Sequence, residues 1–258
     1  MLNFSYGRYA LALACAASFM GGSLQASTIT FDEPGYMAGS VAPSPWQEEY
    51  GQTSGWGIVA GAGEGGSQAL ANGDSSGNSL AVAYDLPTPL TSTMGVQHVS
   101  IHFNPAGPTS IANFTDYGGL QVGNGSRKFD TGNYLGVIFR KTGANSYAVY
   151  GPGSGYGTYM TSFTPSNTAQ WFEISFQTNA AWDTMTLGVG LVGETPVTIQ
   201  SSWDGSDITR VWPVHDDTRF VSQSAMYDNL VITPEPGSLV LAGCGLVSML
   251  IRRKSTRA

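Results

Sequence analysis

Few side chains in this sequence are placed to do chemistry, and they are scattered. Trp171, Glu173 and Gln177 fall at even spacing, and residues two apart on an extended strand share a face. An outward indole gives the C–H face of a pyranose a flat apolar plate, while a carboxylate and an amide beside it can fix hydroxyl groups. This trio is the candidate ligand site. Trp203 and Trp212 stand in sequence that reads as a polar loop region. His98 and His102 share a strand face about 13 Å apart, too far to chelate one zinc ion without a third strand. Asp204, Asp207, Asp216 and Asp217 place hard oxygens on segments read as loops, in a spacing unlike an EF-hand. They are the candidate positions for a structural calcium, the one cofactor considered. A Ser-His-Asp arrangement needs a strained Gly-x-Ser-x-Gly elbow between strand and helix, and no such motif exists: Gly153-Ser154-Gly155 reads as a turn. The run Gly61-Ala62-Gly63-Glu64-Gly65-Gly66 lacks the Lys-Ser/Thr of a phosphate loop and leads into no predicted helix. No catalytic residue is assigned.

The elements that must carry these residues are strands. Val99, Ile101 and Phe103 alternate with His98, Ser100 and His102. Phe172, Ile174 and Phe176 alternate with Glu173, Ser175 and Gln177, and Met185, Leu187, Val189 and Leu191 with Thr and Gly. Leu135, Val137 and Phe139 form another such set, and shorter strands are predicted over 147–150 and 227–232. Period-two alternation of this kind marks half-buried antiparallel strands. With Gly-rich turns between them, the expected fold is an all-β antiparallel sandwich or jelly roll. No internal repeat or second-domain linker is evident.

Both ends of the chain differ from this body. Arg8 and the free amine precede an apolar stretch, Tyr9 to Met20, too short for a mature membrane span. Gly21-Gly22-Ser23 follows, then Leu24-Gln25-Ala26. This is a secretory signal pattern over residues 1–26, with cleavage expected between Ala26 and Ser27. At the other end, Thr233-Pro234-Glu235-Pro236 precedes an uncharged stretch, 237–251, closed by Arg252-Arg253-Lys254 and Arg257. As a helix that stretch reaches about 22 Å, short for a hydrocarbon core of roughly 30 Å. The basic cluster would hold its end in the cytoplasm. The triple order of Pro234-Glu235-Pro236, apolar helix and Arg-rich terminus resembles the PEP-CTERM sorting signal of Gram-negative and related bacteria. The resemblance covers 233–258. It implies processing near the Pro-Glu-Pro motif by exosortase, a membrane cysteine protease-transpeptidase. It also implies export across the inner membrane, transient anchoring by the C-terminal helix, and delivery to the envelope, surface or extracellular matrix. The export translocon and signal peptidase are further implied partners. Cys15 and Cys244 lie in these terminal segments, so the body (27–232) must be held by its core and not by a disulfide.

The body has its own resemblance. Thr30-Phe31-Asp32-Glu33-Pro34-Gly35-Tyr36, Trp56-Gly57 and Gly66-Ser67-Gln68-Ala69-Leu70 resemble the opening of concanavalin A-like and laminin-G-like jelly rolls. Tyr227-Asp228-Asn229-Leu230-Val231-Ile232 resembles their last strand. The resemblance implies two antiparallel sheets with first and last strands adjacent. Retaining glucanases of this fold carry a strand motif similar to Glu-Ile-Asp-x-x-Glu. Here the matching stretch is Glu173-Ile174-Ser175-Phe176-Gln177-Thr178, which keeps one carboxylate where the reaction needs two.

Composition narrows the function. The body holds six basic residues against seventeen acidic ones, a net charge of −11, so nucleic acid is not an expected partner. Aromatic residues make up 11% of the chain, enough to build a core. The expectation is an exported, non-catalytic surface or matrix protein that acts through structure, adhesion or contact with extracellular polysaccharide. The alternative is a glycan-active hydrolase of the same fold. A close pair of carboxylates in a groove favours the hydrolase; an aromatic-lined sheet without one favours binding; a face of Gly and Thr favours an inert module.

Overall fold

A computed structural model of the chain describes residues 27–32, 34–39, 46–50, 56–72, 79–105, 117–124, 134–143, 146–152, 157–166, 170–216 and 226–234. In chain order the strands are β1 (Ser27–Ile29), β2 (Trp46–Tyr50), β3 (Trp56–Val59), β4 (Ala69–Asn72), β5 (Ser79–Leu90), β6 (Gln97–Asn104), β7 (Tyr117–Gly123), β8 (Tyr134–Gly143), β9 (Ser146–Gly151), β10 (Thr158–Phe163), β11 (Phe172–Thr178), β12 (Thr184–Leu191), β13 (Val197–Ser202), β14 (Ile208–Asp216) and β15 (Met226–Pro234). They form two antiparallel sheets. One has eight strands in the order β13-β12-β11-β6-β15-β4-β3, with β1 also paired to β15. The other has seven, ordered β10-β9-β8-β7-β14-β5-β2.

The alternation in the sequence becomes the register. Phe172, Ile174 and Phe176 stand opposite Phe103, Ile101 and Val99 on one side and Leu191, Val189 and Leu187 on the other. This places the apolar set on one face, where each fully buried side chain of this size contributes about 1.5–3 kcal/mol. The two sheets meet through an aromatic chain. Phe103 of β6 lies 5.0 Å from Phe139 of β8, and Phe139 lies 4.9 Å from Phe172 of β11. Tyr227 of β15 crosses the core completely. Its hydroxyl donates to the Val214 carbonyl at 2.7 Å and accepts from the Gly119 N–H at 3.2 Å. Gly119 and Val214 are register partners of β7 and β14, so a side chain of one sheet is inserted between two backbone groups of the other.

The strand expected over 227–232 extends to Met226–Pro234, so Pro234 pairs with Gln97 as the last residue of a ladder. Trp212 is not in a loop: it lies within β14 and is 1% exposed. Trp203 does follow a strand, but it is buried and its indole N–H donates to the Ser206 carbonyl. Among the described residues no helix is long and apolar enough to cross a membrane. The signal helix, Ala26, the predicted span 237–251, Glu235, Pro236, Arg252, Arg253 and Lys254 lie outside the described residues.

Candidate functional site

The site is built on an irregularity in β15. Its pairing with β6 shifts register between Asp228 and Val231, and Asn229 takes φ 50°, a left-handed conformation that asparagine tolerates better than most residues. The resulting bulge lets two successive polar side chains serve one loop. Asp228 Oδ2 accepts from the Glu64 backbone N–H at 3.0 Å and the Ser67 hydroxyl at 2.7 Å. Asn229 Nδ2 donates to Glu64 Oε2 at 3.0 Å. His102 of β6 closes the group through a hydrogen bond between its Nδ1 and the same Glu64 oxygen. From the other side, Asp32 Oδ1 accepts from the Gln68 N–H at 3.1 Å. Burial raises the Asp228 carboxyl above its usual value, and the hydrogen bonds from Ser67, Asn229 and Glu64 oppose that rise.

These bonds pin the glycine run, 61–66, against the rim of the eight-stranded sheet. Gly63 has no alternative there: a β-carbon would lie 2.8 Å from Asp228 Oδ2 and closer still to Ser67 Oγ. The run contains a short 3₁₀ turn, Glu64–Gly66, and leads into strand β4. Facing it across a cleft of about 770 Å³ are Gln170, Trp171 and the segment from Leu191 to Glu194, with Asn104 and Met226 also lining the space. Backbone hydrogen bonds shape the far wall. Val192 N–H donates to the Trp171 carbonyl at 3.0 Å and Glu194 N–H to the Leu191 carbonyl at 2.9 Å, around Gly193 at φ 84°. The cleft therefore joins an indole, amides and two carboxylates, Glu64 and Glu194.

Of the three predicted ligand residues, Trp171 lines this cleft. Glu173 and Gln177 do point outward from β11, opposite His102 and His98, but lie outside the lining. Asp204 Oδ1 accepts from the Ser206 N–H at 3.0 Å, and Asp207 is exposed. Asp216 ends β14, and Asp217 lies outside the described residues. Among the described residues no three His, Cys, Asp or Glu side chains group as metal ligands. Sequence reasoning missed Glu64, Glu194, Asp228 and Asn229 as site residues. Dense glycine around Glu64 was the available signal for close backbone approach.

The outer face of the seven-stranded sheet is aromatic. Tyr159, Tyr150, Ile138, Gly119 and Val214 form one row across β10, β9, β8, β7 and β14. Tyr159, 56% exposed, meets Tyr150 edge to face at 5.9 Å. Trp212, Ala83 and Val214, with Tyr134 and Ile138, make a second apolar cluster on this face. Arg210 pairs with Asp85 beside it.

No protein-family model matches the chain, and no curated protein matches it. Solved structures do. Lectin II from Ulex europaeus superposes with a TM-score of 0.51 at 7% identity, over 82% of this chain and 99% of the lectin. An endo-1,3-beta-glucanase from Streptomyces sioyaensis gives 0.53 at 13% identity, over 82% and 97%. A carbohydrate esterase from the Shiga toxin-encoding bacteriophage phi24B gives 0.55 at 14%, over 80% and 95%. The body shares the two-sheet antiparallel β-sandwich fold of these proteins. At these identities the likeness is one of fold, and a fold of this kind hosts both binding and hydrolytic proteins.

Proposed function

We propose that this chain is an exported cell-surface or matrix protein whose sandwich binds carbohydrate, without transforming it, in the Trp171 cleft. One observation carries the reading: a partly exposed indole lines a cleft of about 770 Å³ together with the amides of Gln170 and Asn104, a size typical of small-ligand sites. Binding of the full chain to a glycan array, followed by titration calorimetry on the hits, tests it. W171A is expected to lower affinity at least tenfold, as loss of one stacking aromatic does in a buried contact. An unchanged titration would remove the cleft from consideration. The export and sorting half rests on the PEP-CTERM resemblance of 233–258. Deleting 235–258, which leaves β15 whole, is expected to change retention and processing in the native host, and an unaltered distribution would contradict it.

One feature favours the hydrolytic alternative: Glu64 and Glu194 line the same cleft. Two carboxylates can divide acid and nucleophile roles between them. Yet Glu194 is exposed, whereas a proton donor gains its raised pKa from a dry pocket, and one oxygen of Glu64 is held by His102 and Asn229. Release of reducing sugar by the wild type, abolished in E194Q, would establish hydrolysis instead.

A further inference from the structure

We infer that the ligand preferred by this cleft is an amino sugar: a pyranose, or a short chain of them, bearing free ammonium groups. The inference rests on the carbohydrate reading above and names its substrate class. It begins from the charge around the cleft. None of the strands of the eight-stranded sheet, three of which (β6, β12 and β15) reach the cleft, contains a lysine or arginine. Their acidic and imidazole side chains are His98, His102, Glu173 and Asp228, and the adjoining loops add Glu64 and Glu194. The strand cations of the body, Arg140, Lys141 and Arg210, belong to the seven-stranded sheet, which also carries Glu48, Glu49, Asp85 and Asp216. The lining of the cleft holds Glu64 and Glu194 and no lysine or arginine, in a body of net charge −11, so the local field draws cations and repels uronates, sulfates and phosphates.

The local chemistry selects within cations. A bare metal ion would gain nothing from Trp171, Leu191 and Met226, and the described residues offer it no three-ligand group. A glucosamine unit uses the whole lining. Its C–H face covers the indole, its hydroxyls meet Gln170, and its ammonium meets a carboxylate beside the face of the indole's π cloud. Glu64 is prepared for this role. Asn229 and His102 both engage Oε2, which fixes the carboxylate and leaves Oε1 as the oxygen for a ligand. His102 bears on the same carboxylate, and Glu173 stands opposite His102 on the next strand. Glu194, on its turn across the cleft, is the second acceptor.

Titration calorimetry on the full chain tests this with four probes: the β-1,4-linked tetramers of glucosamine, N-acetylglucosamine and glucose, and a tetralysine peptide. The glucosamine tetramer is expected to bind about tenfold more tightly than either neutral tetramer, from one or two partly screened ion pairs and a cation–π contact. That margin should shrink as salt rises. E194Q and E64Q should each reduce the margin, read within each variant as the ratio of glucosamine-tetramer to glucose-tetramer affinity. Equal affinity for charged and neutral tetramers overturns the amino-sugar inference and leaves the carbohydrate reading standing. Tetralysine binding as tight as glucosamine also overturns it, in favour of a cationic peptide. Failure of all three sugars overturns both readings.

Discussion

Two aspartates in this protein respond to pH with opposite signs. Burial raises Asp228 above its usual value, so the folded state favours its protonated form. Its contribution to stability is therefore greatest at low pH, declines as pH rises from the ordinary carboxylate range through the raised native value, and is flat above. Hydrogen bonds from Asn179 and Thr184 lower Asp183, which is fully exposed. Its contribution is present above the ordinary value and is lost as pH falls through the lowered native one. Chemical denaturation over about pH 3 to pH 7 should show a shallower decline toward neutral pH in D228N and a shallower acid limb in D183N. Equal slopes in all three proteins would refute the assignment. Alternation made the outward aim of Trp171, Glu173 and Gln177 legible. It could not reveal Glu64, whose partner Asp228 lies 164 positions away: loops carry no periodicity, and the hydrogen bonds that give Glu64 its role exist only after the sheet has paired.

At the scale of the element, Tyr227 is the joint between layers. Burial pushes its phenol well above the ordinary range, so stability falls as pH rises past about 10 and the unfolded chain begins to ionise there. Y227F removes its share of that alkaline fall, leaving the part that comes from Tyr36 and Tyr84, which burial also raises. It also leaves the Gly119 N–H and the Val214 carbonyl without their hydroxyl partner, at a cost of about 1–3 kcal/mol, measurable by urea titration at pH 7. Gly63→Ala acts on the loop instead, forcing a methyl group onto Asp228 and Ser67; about 1–3 kcal/mol of lost stability is expected, with weakened binding in the cleft. The strands themselves were legible because one buried face imposes a period of two, as β6, β11 and β12 show residue by residue. Their order in the sheets was not legible. β6 lies between β11 and β15, and β7 between β8 and β14, pairings set by the packing of whole layers and not by neighbours in sequence. Trp212 was misplaced for a related reason: its segment has few apolar neighbours on one side, although it is a central strand.

Across the whole molecule, the net charge of −11 on the body, with Glu64 and Glu194 and no lysine or arginine in the lining of the cleft, gives an acidic field at the site. Raising salt from about 0.05 to 0.5 M shortens the screening length from roughly 14 to 4 Å. Association of the chain with a cationic polymer such as partly deacetylated chitin should weaken several-fold over that interval, while association with neutral glucan should hold; parallel loss for both would show that the acidic charge does no binding work. The direction of β15 adds a geometric consequence. Ser27 lies opposite Ile232, close to the end of β15 at Pro234, whereas Met226, at its start, belongs to the cleft. Eight residue steps of a strand span about 26 Å. Incoming and outgoing chain thus share one pole of the sandwich and the mouth of the cleft occupies the other. Moored by its tail to a bilayer, such a molecule would stand like a buoy, with its grip on the far side and open to whatever polymer fills the space beyond.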